Sequence, residues 1–166
     1  MANIGWGKPR IFIKKDGEET YKELPTAVEG TTSLATTKGD KQEAKIEGGE
    51  NEDVRYNRNT YALSLEIRAA RGRKRPIADE DGIINDNYEV ILQPEDPEVD
   101  GFRIKTSRVS IEDGWSAENG GTWIYTFDAL RGADGSKQLE WGKVEETKKE
   151  GVGEEARYTI AFTETV

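Results

Sequence analysis

The 166-residue chain contains neither cysteine nor histidine. Without cysteine it forms no disulfide, no thiolate nucleophile and no cysteine-held metal site. Without histidine it lacks the side chain that most often serves as general base and the commonest zinc ligand. Most enzyme classes lose their usual tools with these two absences, and the sequence predicts no catalytic residue, no cofactor and no metal. No apolar run approaches the ~18–20 residues that a spanning helix needs. The opening MANIGWGKPRIF also sets no hydrophobic stretch ahead of a small-residue cleavage site, so neither a membrane span nor secretion is expected. The chain reads as one made in the cytoplasm. Helical periodicity is nearly absent; the single candidate is a short turn or helix after Pro76 through IADED, where proline suits a first helical position.

Charged and hydrophobic residues each make up 34% of the chain, which predicts a thin, strongly patterned core rather than a thick helical one. The length suits one domain, residues 1–166, with 25–50 as an extended loop or arm within it. A net charge of -9 argues against general nucleic-acid binding, which calls for clustered Lys and Arg. The charge is uneven. Residues 1–75 hold 15 basic and 12 acidic groups, whereas residues 76–166 hold 9 and 21. Opposite-sign patches of this kind can bring copies of one chain together, provided the fold does not interleave the two halves.

Period-two alternation is cleanest in TYALSLEIR, where Tyr61, Leu63, Leu65 and Ile67 share a face. TWIYTFDAL repeats it with Trp123, Tyr125 and Phe127, and RYTIAFTET with Tyr158, Ile160 and Phe162. Weaker strands are RIFIKK, TYKEL, YEVILQ, FRIKTSRVSIED and KQLEWGKVEE. In the fourth of these Phe102 and Ile104 sit at even positions but Val109 and Ile111 at odd ones, which predicts a bulge or bend near Ser107. Turn signals are DG at 16, 81, 113 and 134 and GG at 48 and 120. The small, Thr-rich residues 25–40 read as a long loop or an exposed extended arm, and a loop of that length is more often functional than idle. The expected class is all-β: an antiparallel β-sandwich or squashed barrel of two packed sheets with at most one short helix.

Three stretches are candidates for chemistry. EGGENED has no calcium-loop spacing, and in IADEDGIINDNYE no register places a glycine and a terminal glutamate correctly among Asp79, Asp81, Asn85, Asp86 and Glu89. Trp6, Trp115, Trp123 and Trp141 could stack on sugars, although Trp123 lies on the alternating core face. RAARGRKR is basic through Arg68, Arg71, Arg73, Lys74 and Arg75, but no aromatic interleaves it to stack bases. A solvated loop, or a patch that meets an acidic neighbour, explains it more economically.

The order of segments is the most informative feature: an N-terminal hairpin, a Thr-rich loop, a charged strand ending in EGGE, then TYALSLEIR. It resembles phage major tail tube proteins, particularly those of Bacteroidetes-type prophages. There a segment like TTSLATTKGDKQEAKIEGGENEDVRY, residues 31–56, links the first strands to the sheet core. The resemblance implies a subunit of rings, usually hexameric, that stack into a tube delivering DNA, with other tail proteins as partners, no specific DNA binding and no membrane. It also implies residence in the virion tail after assembly in the host cytoplasm. Tubes of type VI secretion systems share that fold, so a secretion or injection tube is a related reading; a carbohydrate- or surface-binding sandwich is the alternative. On the tube reading, Glu47, Gly48, Gly49 and Glu50 form a turn at a subunit interface, the glycines relieving a clash. Arg71, Arg73, Lys74 and Arg75 lie outside the lumen or between rings, because a DNA conduit is better lined by carboxylates, whose repulsion reaches about 8 Å at physiological salt. The chain departs from many tube proteins in lacking a long helix beside the sandwich.

Overall fold

The structure, a computed structural model, describes residues 4–132, 135 and 137–165. They form eleven strands: β1 (Arg10–Lys15), β2 (Tyr21–Glu23), β3 (Ser33–Thr37), β4 (Lys41–Lys45), β5 (Asn51–Tyr56), β6 (Thr60–Arg68), β7 (Ile83–Gln93), β8 (Gly101–Ser116), β9 (Gly120–Ala129), β10 (Leu139–Glu150) and β11 (Arg157–Glu164). Every pairing is antiparallel. β4 and β5 form a separate two-stranded ribbon. The other nine follow the order β10-β11-β2-β1-β7-β8-β9-β6-β3, and β10 pairs back onto β8. Six strands therefore close into a ring, from which β9, β6 and β3 branch as a second sheet. The expected all-β class of packed antiparallel sheets is what the chain adopts.

The branch point is the long strand β8. Its first residues, through Ile104, lie between β7 and β10; Ser107 to Ser110 lie between β7 and β9, and from Ile111 to Ser116 it pairs with β9 alone. Ile104 faces Val90 but Ser107 faces Tyr88, so β8 carries one more residue than β7 over this interval. That bulge, at Lys105 and Thr106, moves burial from even to odd positions: Phe102 and Ile104 before it, Val109 and Ile111 after it. The break in alternation marks the place where the strand leaves one sheet for the other. Ring closure depends on Gly101, which faces Gly142 across the β8–β10 pair. A Cβ on either glycine would come within 2.1 Å of a neighbouring carbonyl oxygen, that of Leu92 or Thr163.

Two cores result. The larger lies between the sheets, where Leu63, Leu65 and Ile67 of β6 and Tyr125 and Phe127 of β9 face Ile11, Ile13, Val90 and Ile104. Leu63 sits opposite Phe127 and Leu65 opposite Tyr125, cross-strand pairs each contributing roughly 0.2–1 kcal/mol. The smaller core lies on the other face of β1 and β7 and gathers Phe12, Ile91, Tyr21, Ala156 and Tyr158. β1 and β7 are thus buried on both faces. This is why RIFI and VIL are continuous apolar runs rather than alternating ones.

Three expectations are corrected and a fourth is narrowed. Of the short turn or helix expected after Pro76, the chain makes the turn, in which Glu80 and Ile83 exchange both backbone hydrogen bonds, and the one helical turn described is a 3-10 turn at Gly153–Glu155. Asp113 and Gly114 form no turn, because the pairing with β9 continues through them to Ser116. Of the DG at 134, Asp134 lies outside the described residues. Residues 25–50 are not one loop: Ser33–Thr37 pair with β6, each of the five meeting a residue of Thr60 to Ser64. Leu34 reaches the core from there. Nor do the basic and acidic halves of the chain separate in space, since β1 pairs with β7, β2 with β11 and β6 with β9.

Candidate assembly surfaces

The stretch singled out for its glycines and carboxylates is the β4–β5 ribbon. Its ladder runs from Lys41 opposite Tyr56 to Lys45 opposite Asn51. The base is fastened where the Asn57 N–H donates to the Asp40 carbonyl and the Gly39 N–H to Asn59 Oδ1, 3.0 Å away. Glu47, Gly48, Gly49 and Glu50 make the tip, closed by hydrogen bonds from the Ile46 N–H to the Glu50 carbonyl and from the Gly49 N–H to the Ile46 carbonyl. Gly48 and Gly49 have φ of 94° and 86°, a region costly for other residues. The expected reason was a clash, and that is corrected: an added Cβ at either glycine meets nothing within 4 Å. Backbone conformation, not crowding, requires these glycines.

Apart from half-buried Val54, every residue of both ribbon strands is exposed. Opposite residues share a face, so one face carries Lys41, Glu43 and Lys45 with Val54 and Tyr56, and the other Gln42 and Ala44 with Asp53 and Arg55. On the first face Lys41 and Lys45 flank Glu43 at 2.7 and 3.6 Å. The hydrogen bond from Lys41 holds the Glu43 carboxyl below its usual range. Ile46 and Tyr56 are about half exposed. A lone two-stranded ribbon is marginal in water, and this one has no core beneath it.

Just before the ribbon in the chain comes β3, whose outer edge is, among the described residues, the end of the nine-stranded sheet that meets no other strand. SLATT contains no charge, no proline and no bulge, the usual devices against edge-to-edge pairing. Next to this edge a groove of about 650 Å³ runs between the chain before β1 and residues 26–34. Trp6, Val28, Leu34, Leu92 and Phe102 line it. Trp6 is 78% exposed. Trp115 is equally bare, Trp141 rests on Phe102 with its ring half exposed, and Trp123 is partly buried against the core. Sequence reading missed the groove because its walls come from segments far apart in the chain.

The basic loop divides into two parts. Arg75 is tied down onto the body of the molecule, its side chain half-buried. Its guanidinium pairs with Asp79 and, at 2.7 Å, with Asp113, and it lies 5.5 Å above the Trp123 ring. Burial alone opposes ionisation of Asp79, but the Gly82 N–H at 2.7 Å and Arg75 outweigh it and hold the carboxyl below its ordinary value. Arg73 donates to the Arg68 carbonyl at 2.7 Å. Arg68, Arg71 and Lys74 are exposed; Lys74 reaches Glu155 at 3.6 Å with both side chains at least 80% exposed.

The other concentration of charge lies against the smaller core. Arg103 donates to Glu140 at 2.5 Å and lies 3.7 Å from Glu89. Glu89 also accepts from the Tyr21 hydroxyl at 2.5 Å and pairs with Lys14 at 3.0 Å. Burial, then the hydrogen bond to Glu89, pushes the Tyr21 hydroxyl well above its usual range, so it stays protonated. Both carboxylates are nearly sealed from solvent and share one guanidinium. The arrangement ties β1, β2, β7, β8 and β10 together. Among the described residues no group of three or more carboxylates is placed to hold a metal ion, and no helix is long and apolar enough to cross a membrane.

No protein-family model matches the chain, and no curated protein is significantly similar to it. Among solved structures, one chain of the 6-fold symmetrised cryo-EM structure of the anti-feeding prophage baseplate aligns with a TM-score of 0.48 and 13% sequence identity. The match covers 86% of this chain and 98% of that one. At that distance it assigns the chain no family.

Proposed function

We propose that the chain is a structural subunit that assembles with copies of itself and carries out no chemistry. In its sharper form, rings, hexameric by analogy with tail tube proteins, stack into a phage tail tube, or the tube of a related secretion or injection machine, through which DNA passes unbound. The subunit would then reside in the virion tail, after assembly in the host cytoplasm and in contact with other tail proteins. The observation that carries this reading is the continuous stretch 33–56: an unguarded sheet edge followed at once by a ribbon with no core beneath it. Both features leave stabilisation unfinished within one chain, and a neighbouring copy would complete it.

The test replaces residues 41–56 with a short Gly- and Asn-containing turn. Light scattering of the concentrated variant should show loss of the oligomer, while circular dichroism and thermal melting stay close to wild type. An unchanged oligomer would remove the ribbon from assembly. Exposed Trp6 beside the groove favours a second reading, a carbohydrate- or surface-binding module. Glycan-dependent quenching of Trp6 fluorescence, abolished by Trp6→Ala, would support it over self-assembly.

A further inference from the structure

We infer that the ribbon tip of one copy docks on the 68–75 loop of the next; this rests on the self-assembly reading above and names its contact surfaces. The tip carries Glu47 and Glu50, with Glu52 and Asp53 following on β5, and the one base beside it is Lys45, opposite Asn51 and drawn toward Glu43. The loop carries Arg68, Arg71, Arg73, Lys74 and Arg75 and no acid. Each stretch is of one sign and lies at the surface; residues 76–102 also hold acids and no base, but Asp79 is engaged by Arg75, and Glu89 by Lys14 and Arg103, within the body of the subunit. At ~3.3 Å per residue, strand β4 lifts the tip roughly 17 Å from the base of the ribbon. The acids are thereby presented away from the body that made them.

The loop is prepared for such a contact. Arg75 is fixed by Asp79, Asp113 and Trp123, which pins the end of the loop and leaves Arg68, Arg71 and Lys74 facing outward. The Lys74–Glu155 pair is fully solvated, and exposed pairs contribute little, so a neighbouring carboxylate can displace it. Nucleic acid is the less suitable occupant: the loop has no aromatic side chain to stack bases, and the molecule as a whole is repelled by phosphate. A copy of this chain supplies the missing carboxylates. Because tip and loop are different surfaces, the contact is head-to-tail and leaves a tip and a loop unsatisfied at its ends. Such contacts continue until they close a ring or extend a filament.

Reciprocal charge reversal tests the contact. All four residues are exposed, so Glu47→Lys with Glu50→Lys in the tip, and Arg71→Glu with Lys74→Glu in the loop, should leave the fold intact. Each reversed pair should weaken self-association, read by sedimentation velocity, by roughly tenfold or more, since like charges are brought together. Mixing the tip-reversed and loop-reversed proteins in equal amounts should restore association as an alternating assembly, because reversed tip meets reversed loop and wild-type tip meets wild-type loop, and the variant carrying all four reversals should recover most of the wild-type association by itself. Raising salt to 1 M, where screening acts within about 3 Å, should mimic a single reversal. Wild-type association in both reversed variants would overturn the contact and leave self-assembly standing. Loss of DNA retention with unchanged self-association in the loop variant would assign the loop to nucleic acid and overturn it likewise. A wild-type chain that stays monomeric at every concentration and salt would overturn the contact together with the assembly reading.

Discussion

At the scale of single residues, Arg75 illustrates how a charge run conceals two different roles. In the sequence it is the last of five bases in RAARGRKR; in the fold it is the clamp that joins the 68–82 segment to β8 and β9. Arg75→Met removes a charged hydrogen-bond partner from Asp79 and should lower stability by about 2 kcal/mol, measured by urea denaturation. The same clamp gives a pH dependence. The folded chain holds the ionised Asp79 carboxylate more favourably than the unfolded chain does. Its contribution is therefore complete above the ordinary aspartate value, near pH 4, and fades as pH falls through the lowered folded value. With Trp6, Trp115 and Trp141 changed to Phe, the fluorescence of Trp123 should report that acid step, and Arg75→Met should abolish it. A step unchanged by Arg75→Met would separate the clamp from the titration. Neither role was visible in the sequence, because Asp113 comes within reach only through the pairing of β8 with β9.

At the scale of elements, legibility follows burial. β6 and β9 alternate because each packs one face on the core, and the periodicity locates them almost to the residue. The parity change in β8 likewise marked its bulge. β1 and β7 show weaker alternation because both faces are buried, and β3 shows none because only Leu34 turns inward. DG at 113 misled because a dipeptide cannot say whether a strand continues through it. Core substitutions should grade by burial: Phe127→Ala, at a side chain sealed within the larger core, should cost about 3–5 kcal/mol in denaturation. On exposed β3 a different outcome is expected. Ala35→Lys places a charge on the open edge and should weaken assembly with little change in melting temperature. Equal losses of stability and assembly would show that this edge serves only the subunit's own fold.

At the scale of the whole molecule, the division of charge between the two halves of the sequence dissolves on folding, since strands from the two halves pair throughout the sheet. What survives is local: an acidic tip on a ribbon and a basic loop elsewhere on the same subunit. A squashed barrel was within the expectation, but which strands close it was beyond the sequence, because pairing of β10 with β8 joins residues some forty positions apart through two facing glycines. The molecule shields most of its strand edges in this way and leaves β3 and the ribbon outside that protection. Electron microscopy of the concentrated wild-type protein is the most direct test of that asymmetry. Rings or stacked tubes, absent when residues 41–56 are replaced, are the expected result. Monodisperse single subunits at every concentration and ionic strength would contradict it.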